Sequence, residues 1–279
     1  MWSMPELPDV ESFRRILQRN GVRHVIAKVE VRDEWILRGA SADAFRTQVQ
    51  GKRLTSTSRH GKYLFAALEP NGFIVFHFGM TGYFQSYRHQ EPERQYNRVI
   101  FHLDDGKRIA FNCRRRLGSI RYVQDPRNFI VKQNLGPDAL QIDFETYLKR
   151  LQRKKGAVKC VLMDQSVLSG IGNLYADEIL FHARIHPRQP VATMDDRQTR
   201  LLFDVTRRVL KTAVDRNSDA SRFPRTYLIH HRRNGGSCPR CGSRLETLSA
   251  CGRTAYFCPA EQIRNSNRPR AKRYKPVLE

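Results

Sequence analysis

Pro5 and Glu6, near the start of the chain, pose a chemical alternative. If synthesis begins at Met4 and that methionine is removed, Pro5 carries a free secondary amine. If synthesis begins at Met1, the Pro5 nitrogen sits in an amide, gives its lone pair to the carbonyl and is no nucleophile. A free α-amino group has a pKa of about 7.7–8.0 against about 10.4 for lysine, so an appreciable share is unprotonated near neutral pH. A bulky Trp2 is expected to hinder removal of Met1. The two starts are therefore chemically different proteins, and Pro5 is a candidate nucleophile only in a chain trimmed to it.

A second chemistry lies near the other end. Cys238-Pro-Arg-Cys241 is followed by sixteen residues and then Cys258-Pro-Ala-Glu261. This is the spacing of a zinc ribbon with Glu in the fourth slot. Cys251 lies seven residues before Cys258, a distance of about 23 Å along an extended strand. It belongs near the tip of a hairpin, away from a metal whose bonds to sulfur are about 2.3 Å. Carboxylate oxygen ligates zinc, so the expected ligands of one structural Zn2+ are Cys238, Cys241, Cys258 and Glu261. Clustering of four of the six cysteines in a strongly basic chain favours metal over disulfides. Packing alone could also hold such a hairpin.

Two stretches are suited to anions. Gly252-Arg253-Thr254 falls at the hairpin turn, where a rigid arginine is well placed for a phosphate. Ser169-Gly170-Ile171-Gly172-Asn173 separates two helical runs. Asn173 is the expected N-cap of the second run, the glycines permit close approach of a partner, and free N–H groups at a helix start favour an anion. An ordinary corner between helices explains the same glycines.

These residues need elements to position them. The chain has 279 residues, 40% of them hydrophobic, enough for two modest domains with cores. Val10, Phe13, Ile16 and Leu17 recur at helical spacing after Pro8, and Gly21 ends that helix. Residues 23–123 read mostly as strands: VIAKVEV, KYLFAAL, GFIVFHF, NRVIFHL and RIAF, broken by PNG and DDGK turns. A β-sandwich or barrel is expected there. After QDPRNF and LGPDAL the pattern turns helical, through FETYLKRL, AVKCVLMDQ, NLYADEILFHA and RQTRLLFDVTRRVLKTAV. Leu202, Val205, Val209 and Ala213 form one face of the last.

The expected domains are 1–135, 136–229 and the cysteine-bearing 230–262, followed by a disordered basic tail at 263–279. Fifty Lys and Arg face 27 acidic residues, a formal charge of +23, which points to nucleic acid rather than to an acidic membrane. No apolar run of about 18 residues exists to span a bilayer, and the N-terminus lacks the pattern of a signal peptide.

Taken together, the motifs resemble the formamidopyrimidine-DNA glycosylase and endonuclease VIII family of base-excision repair enzymes. The matching stretches are Met4-Pro5-Glu6-Leu7-Pro8, Gly61-Lys62-Tyr63-Leu64, His77-Phe78-Gly79-Met80-Thr81-Gly82, Arg115-Arg116-Leu117-Gly118, Leu162-Met163-Asp164-Gln165, Gly170 to Glu178, Ile185-His186-Pro187 and the ribbon with Gly252-Arg253-Thr254. They span nearly the whole chain, and Leu-Pro after Pro-Glu resembles the formamidopyrimidine branch.

The resemblance implies an α+β multidomain fold: an N-terminal β-sandwich with flanking helices, a helix–two-turn–helix domain and a C-terminal zinc β-hairpin, with damaged duplex DNA in the cleft between. It implies a bifunctional glycosylase and abasic-site lyase. The Pro5 amine attacks the anomeric sugar carbon, Glu6 moves the proton, a Schiff base forms and elimination cuts the strand. Lys62 joins the catalytic set and, with Asn173 and Arg253, contacts phosphate at the lesion. Met80, Arg115 and Leu117 fill the hole left by the extruded base. A monomeric, cytoplasmic, nucleoid-associated bacterial enzyme is the expectation.

Three departures qualify it. Residues precede Met4; because the implied chemistry needs Pro5 to be first, initiation at Met4 and trimming to Pro5 are expected, with the leading residues an over-extended start. Cys113-Arg114 stands where the family has Asp-Pro, and Leu117 where it has Phe. Only twenty residues separate Asn217 from Cys238, so ring-opened purines, oxidised pyrimidines or abasic sites are expected to be better substrates than 8-oxoguanine. Two other classes compete: a lesion-binding paralogue with Pro5 locked in the chain, and a basic zinc protein of RNA or ribosomes.

Overall fold

A computed structural model of the chain describes residues 4–88 and 91–264. The three residues ahead of Met4 and the basic tail from residue 265 onward lie outside the described residues. The rest forms two compact units that divide between Leu135 and Gly136.

The first unit begins with α1 (Leu7–Asn20), which starts one residue before Pro8 and is capped by Gly21. Its predicted apolar face is the buried one: Val10 and Leu17 lie in the core, with Phe13 and Ile16 packed against it. Then come β1 (Ile26–Val31), α2 (Ala42–Val49), β2 (Arg53–His60), β3 (Tyr63–Glu69), β4 (Phe73–His77), β5 (Gly82–Arg88), β6 (Asn97–Leu103), β7 (Lys107–Cys113), β8 (Ser119–Val123) and α3 (Pro126–Lys132). The strands make two four-stranded antiparallel sheets, in the orders β1-β6-β7-β5 and β2-β3-β4-β8. Their inner faces share one core, in which Phe76 of β4 meets Phe84, Phe101 and Phe111 of the opposite sheet at centroid distances of 4.9, 5.9 and 6.1 Å. This is the expected sandwich.

Three strands, β2, β5 and β8, have no counterpart among the apolar runs of the sequence. All three are sheet edges. An edge strand has one paired flank and is commonly polar, which discourages pairing with other chains. β2, RLTSTSRH, buries only Leu54.

The second unit contains α4 (Phe144–Gln152), α5 (Val158–Met163), α6 (Asn173–Ala183), α7 (Asp196–Asp215) and the hairpin β9 (Glu246–Ala250) with β10 (Arg253–Phe257). Helix α6 is buried on nearly all sides, including Asp177 and Glu178, and packs against α5, α7 and β10. A helix apolar all round belongs in the middle of a domain. The α7 face Leu202, Val205, Val209 and Ala213 is fully buried, as its periodicity predicts.

Candidate active site and nucleic-acid interface

In the first unit, Glu6 is the N-cap of α1, and Pro5 directly precedes that cap. The Glu6 backbone N–H donates to the Asp9 carboxylate at 2.8 Å, an arrangement that uses an otherwise orphan donor of the first turn. The Glu6 side chain is almost wholly buried. Lys62 occupies a two-residue turn between β2 and β3, closed by the His60–Tyr63 pair, and is also buried. Arg59 fastens this turn by donating to the Gly61 carbonyl at 2.9 Å, and its guanidinium lies 3.5 Å from Glu11 of α1.

Electrostatics joins these groups. Dense packing pushes the Asp9 carboxyl up to about 7, with the charge of Glu6 adding to the rise and Lys62 opposing it. Burial, then Lys62 and Arg121, lower His77 to about 4. A neutral His77 accepts the Gly79 N–H at its Nδ1, 3.3 Å away. Asp9 and His77 are members of this neighbourhood to which sequence reading assigned no role. Asp9 carried one signal, an acid three residues after a helix start.

The same unit brings Met80, Arg115 and Leu117 together. Gly79 has φ +59, and a Cβ on it would lie 2.3 Å from the Leu117 carbonyl, so only glycine lets the two turns meet. The Arg115 N–H donates to Thr81 Oγ1 at 3.1 Å. The second turn is fastened by ion pairs: Asp33 meets Arg116 at 2.7 Å and Arg98 at 3.4 Å, and Arg98 donates to the Cys113 carbonyl at 3.0 Å. Leu117 is 51% exposed, which removes core packing as its role. Arg115 is exposed and Met80 half-buried.

In the second unit the cap of α6 is Gly172, with extended φ −125° and ψ −158°, rather than Asn173. Asn173 is the first helical residue. Its Nδ2 donates to the Thr254 carbonyl of β10 at 3.2 Å, leaving Oδ1 without a hydrogen-bond partner among the described residues. The side chain is therefore spent on the hairpin, not on its own helix. The structure thus places Asn173 beside the strand that carries Arg253.

A buried charge network holds that hairpin. Lys159 Nζ lies 2.7 Å from Asp177 Oδ1 and donates to the Thr254 carbonyl at 3.3 Å. Asp177 Oδ2 accepts from Arg232 Nε at 3.0 Å and from the Tyr256 N–H at 3.2 Å. Glu178 accepts the Leu228 and Ile229 N–H groups at 2.9 and 2.8 Å, fixing the entry to the cysteine segment. The sequence showed Lys159, Asp177 and Glu178 only as polar interruptions in apolar runs.

The thiols of Cys238, Cys241 and Cys258 converge within 4.8 Å of one another. Cys241 and Cys258 sulfurs are 3.5 Å apart, and the Arg240 N–H points to Cys238 Sγ at 3.4 Å. Three thiols at such spacing, one receiving a backbone N–H, fit a metal that bonds sulfur at about 2.3 Å. Glu261 is not among them. Its carboxylate meets Arg184 at 3.0 Å and Arg240 at 3.6 Å, because two guanidiniums lie closer to it than the sulfurs. Cys251 sits at the hairpin tip, as expected, but it forms a disulfide with Cys160. Three of the four clustered cysteines are thus free, converging thiols, while the preference for metal over disulfide fails for the fourth, whose turn lies against α5.

Comparison with known proteins adds an independent line. The family model of the formamidopyrimidine-DNA glycosylase N-terminal domain matches residues 4–120, that of the formamidopyrimidine-DNA glycosylase H2TH domain residues 135–225, and a double zinc ribbon residues 230–268. The chain is 33% identical to a formamidopyrimidine-DNA glycosylase of Arabidopsis thaliana, over 93% of its own length and 71% of that protein. It is also 33% identical to one of Heliobacterium modesticaldum, over 92% and 99% of the two chains. Among solved structures, that of the Lactococcus lactis enzyme with abasic-site DNA superposes with a TM-score of 0.84 at 24% identity, covering 93% of this chain and all of the other.

Proposed function

Because the chain belongs to the formamidopyrimidine-DNA glycosylase family, we propose that it removes oxidised or ring-opened bases from duplex DNA and then cuts the strand at the abasic site. The observation that carries this reading is the placement of Pro5 and the buried Glu6 at the head of α1 beside Lys62 and Asp9. In a chain whose first residue is Pro5, the secondary amine adds to C1′ of the damaged nucleotide and the bond from C1′ to the base breaks. Glu6 donates the proton that opens the sugar ring. The resulting iminium makes the C2′ hydrogen acidic, and loss of that proton expels the 3′ phosphate. Lys62 supplies positive charge for a phosphate at the lesion.

Met80, Arg115 and Leu117 take the space of the extruded base: an apolar wedge replaces lost stacking and the arginine bonds the widowed partner base. Asn173 and Arg253 hold the phosphates flanking the lesion. Cys238, Cys241 and Cys258 would hold a structural zinc, which would stabilise the hairpin bearing Arg253. Glu261 would have to leave Arg184 and Arg240 to serve as a fourth ligand.

Borohydride trapping on an abasic duplex tests this reading, using a chain that begins at Pro5. A covalent adduct is expected, and Pro5→Gly and Glu6→Gln should each greatly reduce excision while DNA binding persists. Normal excision by Glu6→Gln would remove that residue from the mechanism. Absence of any adduct would leave a lesion-binding paralogue.

A further inference from the structure

The turn that carries Arg253 contains a residue whose backbone is unsuited to it. Cys251 and Gly252 form the two-residue connection between β9 and β10, closed by the Ala250–Arg253 pair. Both have positive φ, +55° and +67°. Turns of this kind favour Asn-Gly, because asparagine tolerates the left-handed region and most other side chains do not. Cysteine gains nothing from the turn itself.

What its side chain does lies elsewhere in the same unit. Cys251 is bonded to Cys160 of α5, 91 residues away in sequence, at an ordinary Cα–Cα separation of 5.5 Å. Next to Cys160 is Lys159, which bonds the Thr254 carbonyl and Asp177. The same carbonyl receives Asn173 Nδ2. Arg253 therefore stands between a covalent anchor two residues before it and a doubly bonded carbonyl directly after it. Its side chain is exposed, with no hydrogen bond or ion pair to another described residue.

We propose that the Cys160–Cys251 disulfide is a positioning bond: it holds Arg253 in register with Asn173 for a DNA phosphate, so that affinity for lesion DNA depends on the redox state of this pair. The inference rests on the phosphate-binding roles proposed above. Cys251 is exposed and Cys160 half-buried, so soluble reagents can reach the bond. Two thiols form it by losing two protons and two electrons to a small-molecule disulfide, which is reduced to two thiols. A phosphine and one water reverse it, giving two thiols and the phosphine oxide.

The test compares the full chain before and after phosphine treatment in zinc-containing buffer. Mass after alkylation counts the thiols, and fluorescence anisotropy measures affinity for a duplex with a tetrahydrofuran abasic analogue and for the same duplex intact. Reduction should expose two further thiols and weaken abasic-site binding about tenfold, the scale of one charge-assisted phosphate contact. Intact-duplex affinity should change little, the thermal midpoint should fall by several degrees because the bond closes a long loop, and glutathione disulfide should restore the tight state. Cys160→Ser and Cys251→Asn should bind abasic DNA weakly and ignore phosphine; asparagine preserves the turn. In Arg253→Ala, reduction should have no further effect on affinity.

Equal abasic-site affinity in both redox states would overturn the proposal. So would absence of the bond in protein treated with glutathione disulfide, or parallel loss of both affinities with a large fall in thermal midpoint. A redox-dependent affinity without borohydride trapping would instead retain the positioning bond and remove the lyase reading.

Discussion

At the residue scale the first unit contains two groups whose titration opposes. Asp9 is raised to about 7 in the folded chain from an ordinary 3.8. Between these values the native state holds a proton that the unfolded state has lost. Asp9 thus contributes stability that is complete below pH 3.8 and is lost as pH rises through 7. His77 is lowered from 6.5 to about 4. Between those values the unfolded state binds the proton, so its contribution is present above pH 6.5 and is lost as pH falls through 4. Urea unfolding from pH 4 to 7.5 should therefore show stability rising more steeply with pH in Asp9→Asn and less steeply in His77→Asn. Parallel slopes for the two variants would refute the assignment. Pro5, Glu6 and Asp9 were legible as residue types in one short stretch. That Asp9 retains its proton was not, since the shift comes from packing and from Glu6 and Lys62, brought near by folding.

At the scale of elements, the hairpin owes its place to α5 and α6. Lys159 and Asp177 are both fully buried, and removing one partner of such a pair leaves a charge without compensation. Lys159→Met should cost about 3 kcal/mol in urea unfolding, the low end for a broken buried pair because Arg232 still meets Asp177. It should also weaken lesion-DNA binding through the lost bond to Thr254. Unchanged stability would mean that Asp177 is protonated in the native state. Zinc removal belongs to the same scale. A strong chelator should lower abasic-site affinity, and restored zinc should recover it, because β9 and β10 form a two-stranded hairpin that is marginal without staples. The elements themselves were only partly visible in the sequence. Central strands announce themselves by apolar runs. The edges β2, β5 and β8 do not, since most of their positions are polar or only partly buried.

For the whole molecule the dominant fact is a formal charge of +23. Proteins that neutralise several phosphates release counterions, so affinity falls linearly on a logarithmic salt scale. Binding to intact duplex should lose about three orders of magnitude between 50 and 200 mM salt if some six phosphates are contacted. A flat dependence would contradict the electrostatic reading. On abasic-site duplex, Arg253→Ala should reduce the slope by about one. Among the described residues no helix is long and apolar enough to cross a membrane.

The sequence by itself determined the chemistry on offer: a proline next to a glutamate, three cysteines at ribbon spacing, glycines before a helix and an arginine at a turn. It also determined the order of the apolar strands and of the main helices, because periodicity and turn residues are local properties. Only the tertiary structure decided which of these meet. It gave Glu261 to arginines instead of sulfurs, turned Asn173 from helix cap to hairpin anchor, exposed Leu117 and paired Cys160 with Cys251. Each outcome depends on competition between partners distant in the chain, and the winner is set by distance and burial, which no linear spacing encodes.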